Sequence, residues 1–380
     1  YAKSLRDLLE GEFTRCLLTN YMYDLPWLFG ECPRLNDVPV LLVHGERDRQ
    51  AMAKECRAYT NVTPVAPPLP IPYGTHHTKM LVALHPDKVR VAIFTANFLS
   101  GDWNCKTQGV WYQDFDLKVV ADSDDEEETP VAAAASSAAV HDFEADLVLY
   151  LSSLGHQVKL FCGELKRFDF STARVALIPS VPGVHKGKGK QARQLHYEGR
   201  NSTQGWNAGR SIPCPLKNMK SFLHKYLRKW TPPAALHRQN AMPHIKTYSR
   251  FDPCGEKAGT LDWVIMTSSN MSKAAWGAFQ KSKTQFMIRS YELGVMFLPP
   301  LLTRESSGPP IRLSVIGSKA AEASGIVARE ASSARQQAAI LLPLPFQFPL
   351  KTYDPKKDEP WVWDLTREDP DIFGSAYIPH

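Results

Sequence analysis

Nowhere in the 380 residues do two cysteines stand at C-x-x-C spacing. The seven cysteines (Cys16, Cys32, Cys56, Cys105, Cys162, Cys214 and Cys254) are odd in number and scattered. That pattern excludes a zinc ribbon and a disulfide framework and reads as reduced, intracellular thiols. No apolar run reaches the roughly 20 residues of a membrane span, so no membrane contact is expected. The sequence starts at Tyr1, with no Met and no signal-like segment, as in a trimmed chain. No Asp/Glu/His cluster with metal-ligand spacing lies near the motifs described below, and no metal or other cofactor is expected.

What is present fits a globular protein. Hydrophobic residues make up 43% of the chain, and its length suits two domains or one large pseudo-symmetric one. The net charge of +6 is unevenly spread. Residues 1–165 carry −9 and residues 166–380 carry +15. The acidic run Asp122–Glu128 contributes six of those negative charges, and without it the first part is still −3. Such asymmetry points to a polyanion against the second part.

The stretch from Tyr73 to Gln108 holds the triplet His77-Thr78-Lys79, an apolar strand-like run and then Asn97. The pattern returns as His244-Ile245-Lys246, a second apolar run and Asn270. Asn97 follows Lys79 by 18 residues, and Asn270 follows Lys246 by 24. A single such triplet would be an ordinary surface pair. Two copies with matching Asn residues point to one site built from two halves of a duplicated fold.

Along the chain, Leu5, Leu8, Leu9, Phe13, Cys16, Leu17 and Tyr21 fall near helical spacing and predict an amphipathic helix over 4–21. Residues 38–45 predict a buried strand ended by Gly45, and 47–58 a helix. Residues 64–72 are proline-rich and must be extended. Residues 89–94 and 116–120 read as strands. Residues 121–140, acidic and then Ala/Ser-rich, read as a mobile surface insertion. A helix is expected over 141–153 and a domain boundary near Leu165, dividing 1–165 from 166–380. Residues 173–183 read as the first strand of the second half, followed by a polar, basic stretch over 185–210.

Met219, Phe222, Leu223, Tyr226, Leu227 and Trp230 predict a helix over 217–230 with that stripe in the core. Lys217, Lys220, Lys225, Arg228 and Lys229 lie off the stripe, on a solvated face or against phosphates. Residues 285–299 read as a strand pair, 303–338 as a second mobile insertion, and 360–365 as an aromatic strand that packs down.

In an extended segment, residues two apart share a side, so each triplet presents His and Lys together. Two imidazoles and two ammonium groups in one volume need an anion. Phosphate fits, with Lys as a point charge and Asn as a neutral donor. The two histidines cannot act alike: one must be a neutral nucleophile and the other a protonated acid, so their surroundings must differ. Gln108 and Glu292 stand at comparable places after the two Asn residues and offer that difference, one an amide and the other a carboxylate.

The segments GTHHTKM, TANFLSGDWNCKTQG, NAMPHIKTY, TSSNMSKAAWG and IRSYELGVMFLP resemble the tyrosyl-DNA phosphodiesterase family, a divergent branch of the phospholipase D superfamily. The superfamily form carries an Asp shortly after each Lys; here MLVALH and TYSRFD follow, and the Asn residues take its place. The resemblance spans nearly the whole chain. It implies an α/β fold of two pseudo-symmetric phospholipase D-like halves, each a mixed sheet flanked by helices, with one shared active site. It also implies a nuclear DNA-repair hydrolase, working as a monomer without metal, on DNA 3′ ends that carry a topoisomerase I-derived phosphotyrosyl peptide.

Carried over by residue, His77 resembles the nucleophile and His244 the general acid and base. Lys79, Lys246, Asn97 and Asn270 resemble the phosphate ligands. Glu292 resembles the support of His77, and Gln108 that of His244. Ser272 resembles a DNA contact, and Tyr73 an aromatic that meets DNA bases. The family's longer DNA-contacting segment between residues 183 and 217 is shortened here. Rival readings are another superfamily nuclease or phosphodiesterase and, in a different class, a non-catalytic nucleic-acid-binding module.

Overall fold

The structure is a computed structural model and describes residues 2–46, 48–119, 142–186, 215–238, 241–251, 260–302, 312–315, 339–346 and scattered residues from 350 onward. Its first mixed sheet contains β1 (Arg15–Asn20), β2 (Val40–His44), β3 (Val62–Val65), β4 (Met80–Leu84), β5 (Lys88–Phe94) and, past the two-residue β6 (Lys106–Thr107), β7 (Val110–Asp116). The order is β3-β2-β1-β4-β5-β7. β1, β2 and β3 are parallel, and β4, β5 and β7 continue antiparallel. Pro64 sits in β3 at the sheet's edge, where its missing N–H costs no ladder bond.

Both faces of this sheet are covered, which is why its central strands read as unbroken apolar runs. On one face α1 (Leu5–Leu8), α2 (Leu25–Glu31) and α3 (Arg49–Cys56) bury Leu8, Leu28, Phe29 and Met52 against Leu18, Leu42 and Phe94. On the other face, beyond α4 (Ser100–Cys105) in the chain, α5 (Phe143–Ser152) and α6 (His156–Leu165) bury Leu147, Tyr150, Val158 and Phe161. Asp48 and Asp142 cap α3 and α5 by accepting from first-turn N–H groups. Each fully buried Leu or Phe contributes about 1.5–3 kcal/mol, so these faces dominate the stability of the sheet.

The second sheet contains β8 (Ala176–Ser180), and after β9 (Gly183–Lys186) and β10 (Met242–Pro243) come β11 (Thr247–Phe251) and β12 (Thr260–Thr267). After β13 (Ala278–Gln280) and β14 (Gln285–Ile288) follow β15 (Glu292–Phe297), β16 (Arg312–Val315) and β17 (Ala339–Leu342). The sheet runs β17-β16-β12-β15-β8, with β11 also on β12. It is mixed, since β16 and β17 are parallel and the other pairs antiparallel. β13, β14 and β9 form a small sheet, and β10 pairs with β6. Met266, Tyr291, Leu293 and Val295 of the second sheet share a core with β4, β5, α5 and α6 of the first. Among the described residues no helix is long and apolar enough to cross a membrane.

Several expectations need correction. The helix over 4–21 ends at Leu8; Gly11 turns the chain with φ +100°, and 15–20 is the strand β1. Cys16, Leu17 and Leu18 are buried on both faces of a central strand, and such a run matches helical spacing by accident. The strand expected at 116–120 runs instead over Val110–Asp116, where Trp111 and Phe115 are buried and Asp114 pairs with Arg90 and Lys88. That cross-strand ion pair makes a strand look like a polar loop. The helix after it is joined by α6, for which no separate helix is expected from the sequence.

The helix expected over 217–230 is two 3₁₀ stretches, Leu216–Asn218 and Ser221–Tyr226. Its stripe is core only in part: Trp230 packs against the cluster around Leu261 and Leu313, whereas Phe222 is 61% exposed and Tyr226 57%. An i, i+3 pattern suits a 3₁₀ turn as well as an α-helix. The strand pair over 285–299 exists, but β14 and β15 lie in different sheets. Within 303–338, residues 312–315 form β16, with Leu313 and Val315 buried. Over 360–365, Val362 is buried and the Asp364 carboxylate accepts from the Leu216 N–H at 2.7 Å. No strand is assigned there among the described residues. The insertion over 121–140 and most of 185–210 lie outside the described residues.

Candidate active site

Each triplet is the extended lead-in to a strand, β4 after His77–Lys79 and β11 after His244–Lys246. Each is tied down by backbone from the opposite sheet. The His77 N–H donates to the Tyr291 carbonyl at 2.9 Å, and the His244 N–H to the Thr107 carbonyl at 2.9 Å. The residue after each of those carbonyls is the support of that imidazole. His77 Nδ1 lies 2.9 Å from Glu292 Oε2 and 3.1 Å from the Ser268 carbonyl. His244 Nδ1 lies 3.1 Å from Gln108 Oε1. Oxygen acceptors at Nδ1 place the proton there and leave each Nε2 free for chemistry.

Two glycines permit these crossings. A Cβ on Gly74 would stand 2.1 Å from the Arg289 carbonyl, and one on Gly109 2.4 Å from the Met266 sulfur. Side chains there would push the two sheets apart beside the triplets.

The lysines mirror one another. Lys79 Nζ donates to the His77 carbonyl at 2.8 Å and Lys246 Nζ to the His244 carbonyl at 2.6 Å. Lys79 is lowered to about 7 and Lys246 to about 8, in both chiefly by burial and against the pull of Glu292; the charge of Lys246 contributes to the lowering of Lys79. Burial holds His77 below its usual value; Glu292 opposes that, and Lys79 and Lys246 add to it. Burial would raise the Glu292 carboxyl, but His77 and the Ser268 hydroxyl hold it below its usual range. His244 is lowered by burial first and then by Lys246 and, more weakly, Lys79. These cross-effects put both triplets in one electrostatic neighbourhood with excess positive charge, suited to an anion.

Asn97 follows β5; its N–H and its Nδ2 both donate to Asp102 Oδ2, at 2.8 and 2.9 Å. Its Oδ1 is buried without a partner. Asn270 follows β12, half-buried, two residues beyond Ser268. Ser272 is exposed and caps the one-turn helix Lys273–Trp276 by accepting from the Ala275 N–H. Tyr73 is 84% exposed with φ 61°, a left-handed conformation that a tyrosine adopts only under constraint. The structure thus gathers His77, Lys79, His244, Lys246, Gln108 and Glu292, with Asn97 joined through Asp102. It gives Tyr73 no contact with them.

Four residues are not among the expected site residues. The Thr95 hydroxyl donates to Gln108 Oε1 at 2.7 Å, and the Ser268 hydroxyl to Glu292 Oε2 at 2.6 Å. Both stand two residues before an Asn, a repeat visible in TAN and SSN. Tyr21 meets the His77 ring edge-on at 5.4 Å, with Lys79 Nζ 5.9 Å from its own ring centre. Asp102, 2% exposed, accepts from Lys106 Nζ at 2.6 Å and lies 3.7 Å from His244 Nδ1. Cys16, Cys32, Cys56, Cys105 and Cys162 are free. No group of three or more His, Cys, Asp or Glu among the described residues could hold a metal ion.

The family described as tyrosyl-DNA phosphodiesterase matches residues 1–197 and 195–354. Tyrosyl-DNA phosphodiesterase 1 of Arabidopsis thaliana is 33% identical over 98% of this chain and 73% of its own length. A probable tyrosyl-DNA phosphodiesterase of Caenorhabditis elegans is 28% identical over 95% of this chain and 84% of its own. The crystal structure of the yeast tyrosyl-DNA phosphodiesterase superposes with TM-score 0.61 at 16% identity, covering 94% of this chain and 95% of that one. At that identity the likeness carries the fold alone, two sheet-bearing halves.

Proposed function

The chain belongs to the tyrosyl-DNA phosphodiesterase family, and on that premise we propose that it hydrolyses the phosphodiester joining a tyrosine to a DNA 3′ end. The observation that carries this reading is the pair of imidazoles held by Nδ1, one on a carboxylate and one on an amide, beside buried Lys79 and half-buried Lys246. His77 Nε2 attacks phosphorus and forms a P–N bond. The P–O bond to tyrosine breaks, and His244 Nε2 gives its proton to the departing oxygen. Water then attacks phosphorus and passes a proton to His244, the P–N bond breaks, and a 3′-phosphate leaves.

Lys79, Lys246, Asn97 and Asn270 hold the phosphoryl oxygens; two ammonium groups supply the charge that a metal would otherwise bring. A tyrosine leaving group with a pKa of about 10 departs more easily than a sugar alkoxide. DNA lies along the basic second half, past Ser272 and Tyr73, with the peptide nearer the first. Residues 1–165 and 166–380 are the two halves, the protein acts as a monomer in the nucleus, and other 3′ blocking groups fit the same site. The test is tyrosine release from a 3′-phosphotyrosyl oligonucleotide with EDTA present. Activity lost in EDTA and restored by Mg²⁺ would overturn the metal-free scheme. A protein that binds the oligonucleotide and leaves it intact would favour the binding-module reading.

A further inference from the structure

The second histidine has a carboxylate of its own. Asp102 sits in the first turn of α4, 2% exposed, and its groups reach three site residues. Oδ2 accepts both N–H groups of Asn97 and lies 3.7 Å from His244 Nδ1. Its main-chain carbonyl accepts from Gln108 Nε2 at 3.1 Å, fixing the amide so that Oε1 faces His244. Oδ1 is bound by Lys106 Nζ at 2.6 Å.

We propose that Asp102 is a positioning residue for His244: it is the counter-charge that lets this imidazole hold a proton, with Lys106 moderating it. It does at longer range what Glu292 does for His77. The inference rests on the acid–base role proposed for His244.

The charged groups that act on His244 are few. Lys246 beside it, Lys79 from the first triplet and Lys106 from β6 all disfavour a proton on the ring. Asp102 is the anion that favours one. Burial would raise the Asp102 carboxyl, but Lys106 and the Asn97 N–H hold it below its usual range, so it stays charged. His244 is lowered to about 3 even with Asp102 beside it, so Asp102 offsets only part of what burial and the lysines do, and the charge of a bound phosphate has to add to it. At this separation, and at an effective dielectric near 20, one charge moves a pKa by on the order of a unit or more. The rival explanation is that Asp102 only anchors α4 and Asn97. In that case Asp102→Asn leaves the His244 titration where it is, while Lys106→Met still raises it through the lost charge of Lys106 itself.

The test uses two substitutions expected to act in opposite directions. Asp102→Asn removes the charge and keeps an acceptor for the Asn97 N–H. Lys106→Met removes the cation and leaves the carboxylate free. His244 is titrated by NMR in histidine-labelled protein saturated with inorganic phosphate, its signal identified by its loss in His244→Asn. Asp102→Asn should move the titration to lower pH by about one unit or more, and Lys106→Met should move it to higher pH. The alkaline limb of tyrosine release, which needs protonated His244, should follow each shift. An unmoved His244 titration in folded Asp102→Asn, or shifts of the same sign in both variants, overturns the proposal. If Asp102→Asn does not fold, Asp102→Ser, which also removes the charge, takes its place and is read in the same way. Should the unaltered protein release no tyrosine, the proposed reaction fails while the NMR titration still tests Asp102.

Discussion

His77 rests its Nδ1 on a carboxylate and His244 on an amide, although matched hydrogen bonds deliver both. Each triplet borrows a carbonyl from the opposite sheet, each Lys folds back on its own His carbonyl, and each support is bound by a hydroxyl two residues before an Asn. The scaffold is therefore symmetric and the charge is not. One direct carboxylate favours positive charge on His77, as a phosphohistidine requires. His244 has only Asp102 at 3.7 Å, which leaves it easier to deprotonate. Duplication supplies the cradle, and the amide-for-carboxylate difference is what would divide the parts in the proposed reaction.

The sharpest way to break this comparison is to remove each imidazole in turn. His77→Ala should reduce tyrosine release to background and leave no protein–DNA adduct, with a thermal melt near that of the parent. Substantial residual turnover would move the nucleophile elsewhere. His244→Asn should slow turnover by on the order of 10²–10⁴. It should slow the second step more than the first, because a phenol leaves with little help whereas water needs a base. A denaturing gel with labelled 3′-phosphotyrosyl DNA should then show an acid-labile adduct that disappears when His77 is also changed. Tyrosine release by His244→Asn without any adduct would sink the division of roles.

A milder change makes the supports alike. Glu292→Gln gives His77 the partner type that His244 already has. The carboxylate raises the affinity of His77 for protons, so its loss moves the acidic limb of the pH–rate profile, where His77 must be neutral, to lower pH. Turnover at neutral pH should fall roughly tenfold to a hundredfold, one to two units at 1.36 kcal/mol each. A profile shifted on its alkaline side instead would mean that Glu292 serves the acid.

The triplets, Asn97 and both supports, which the structure brings together, could be picked out because the pattern recurs, and recurrence needs no structure to be seen. The crossing of supports came from resemblance; the sequence offers no geometric reason for Glu292 to face His77. Asp102 stayed hidden because it reads as an ordinary acid opening a short helix, and only folding brings it to His244. The fold was legible where strands were interior and mostly apolar, as in Val40–His44 and in Val89–Phe94 of β5. It was misread where two periodicities coincide, as in β1 and in 217–230, and where Arg90 and Asp114 neutralise each other inside a sheet.

The smallest expected effect tests the other contrast, an acidic first half against a basic second one. Lys217 and Lys220 are exposed on the 3₁₀ segment that also presents Phe222 and Tyr226, and Asp364 anchors its start. Basic and aromatic side chains interleaved on one surface suit a nucleic-acid strand, the charges meeting phosphates and the rings meeting bases. Lys217→Glu with Lys220→Glu should weaken DNA affinity and reduce the slope of log K against log salt by about one for each phosphate no longer neutralised. The matched control is Lys54→Glu with Lys159→Glu, two exposed lysines of the first half. It changes net charge equally and should leave the slope unchanged. Because neither pair touches the histidines, tyrosine release at saturating DNA should be the same in all three proteins. Equal losses in the two variants would show a response to overall charge, and the segment at 216–226 would then not be the DNA-binding face.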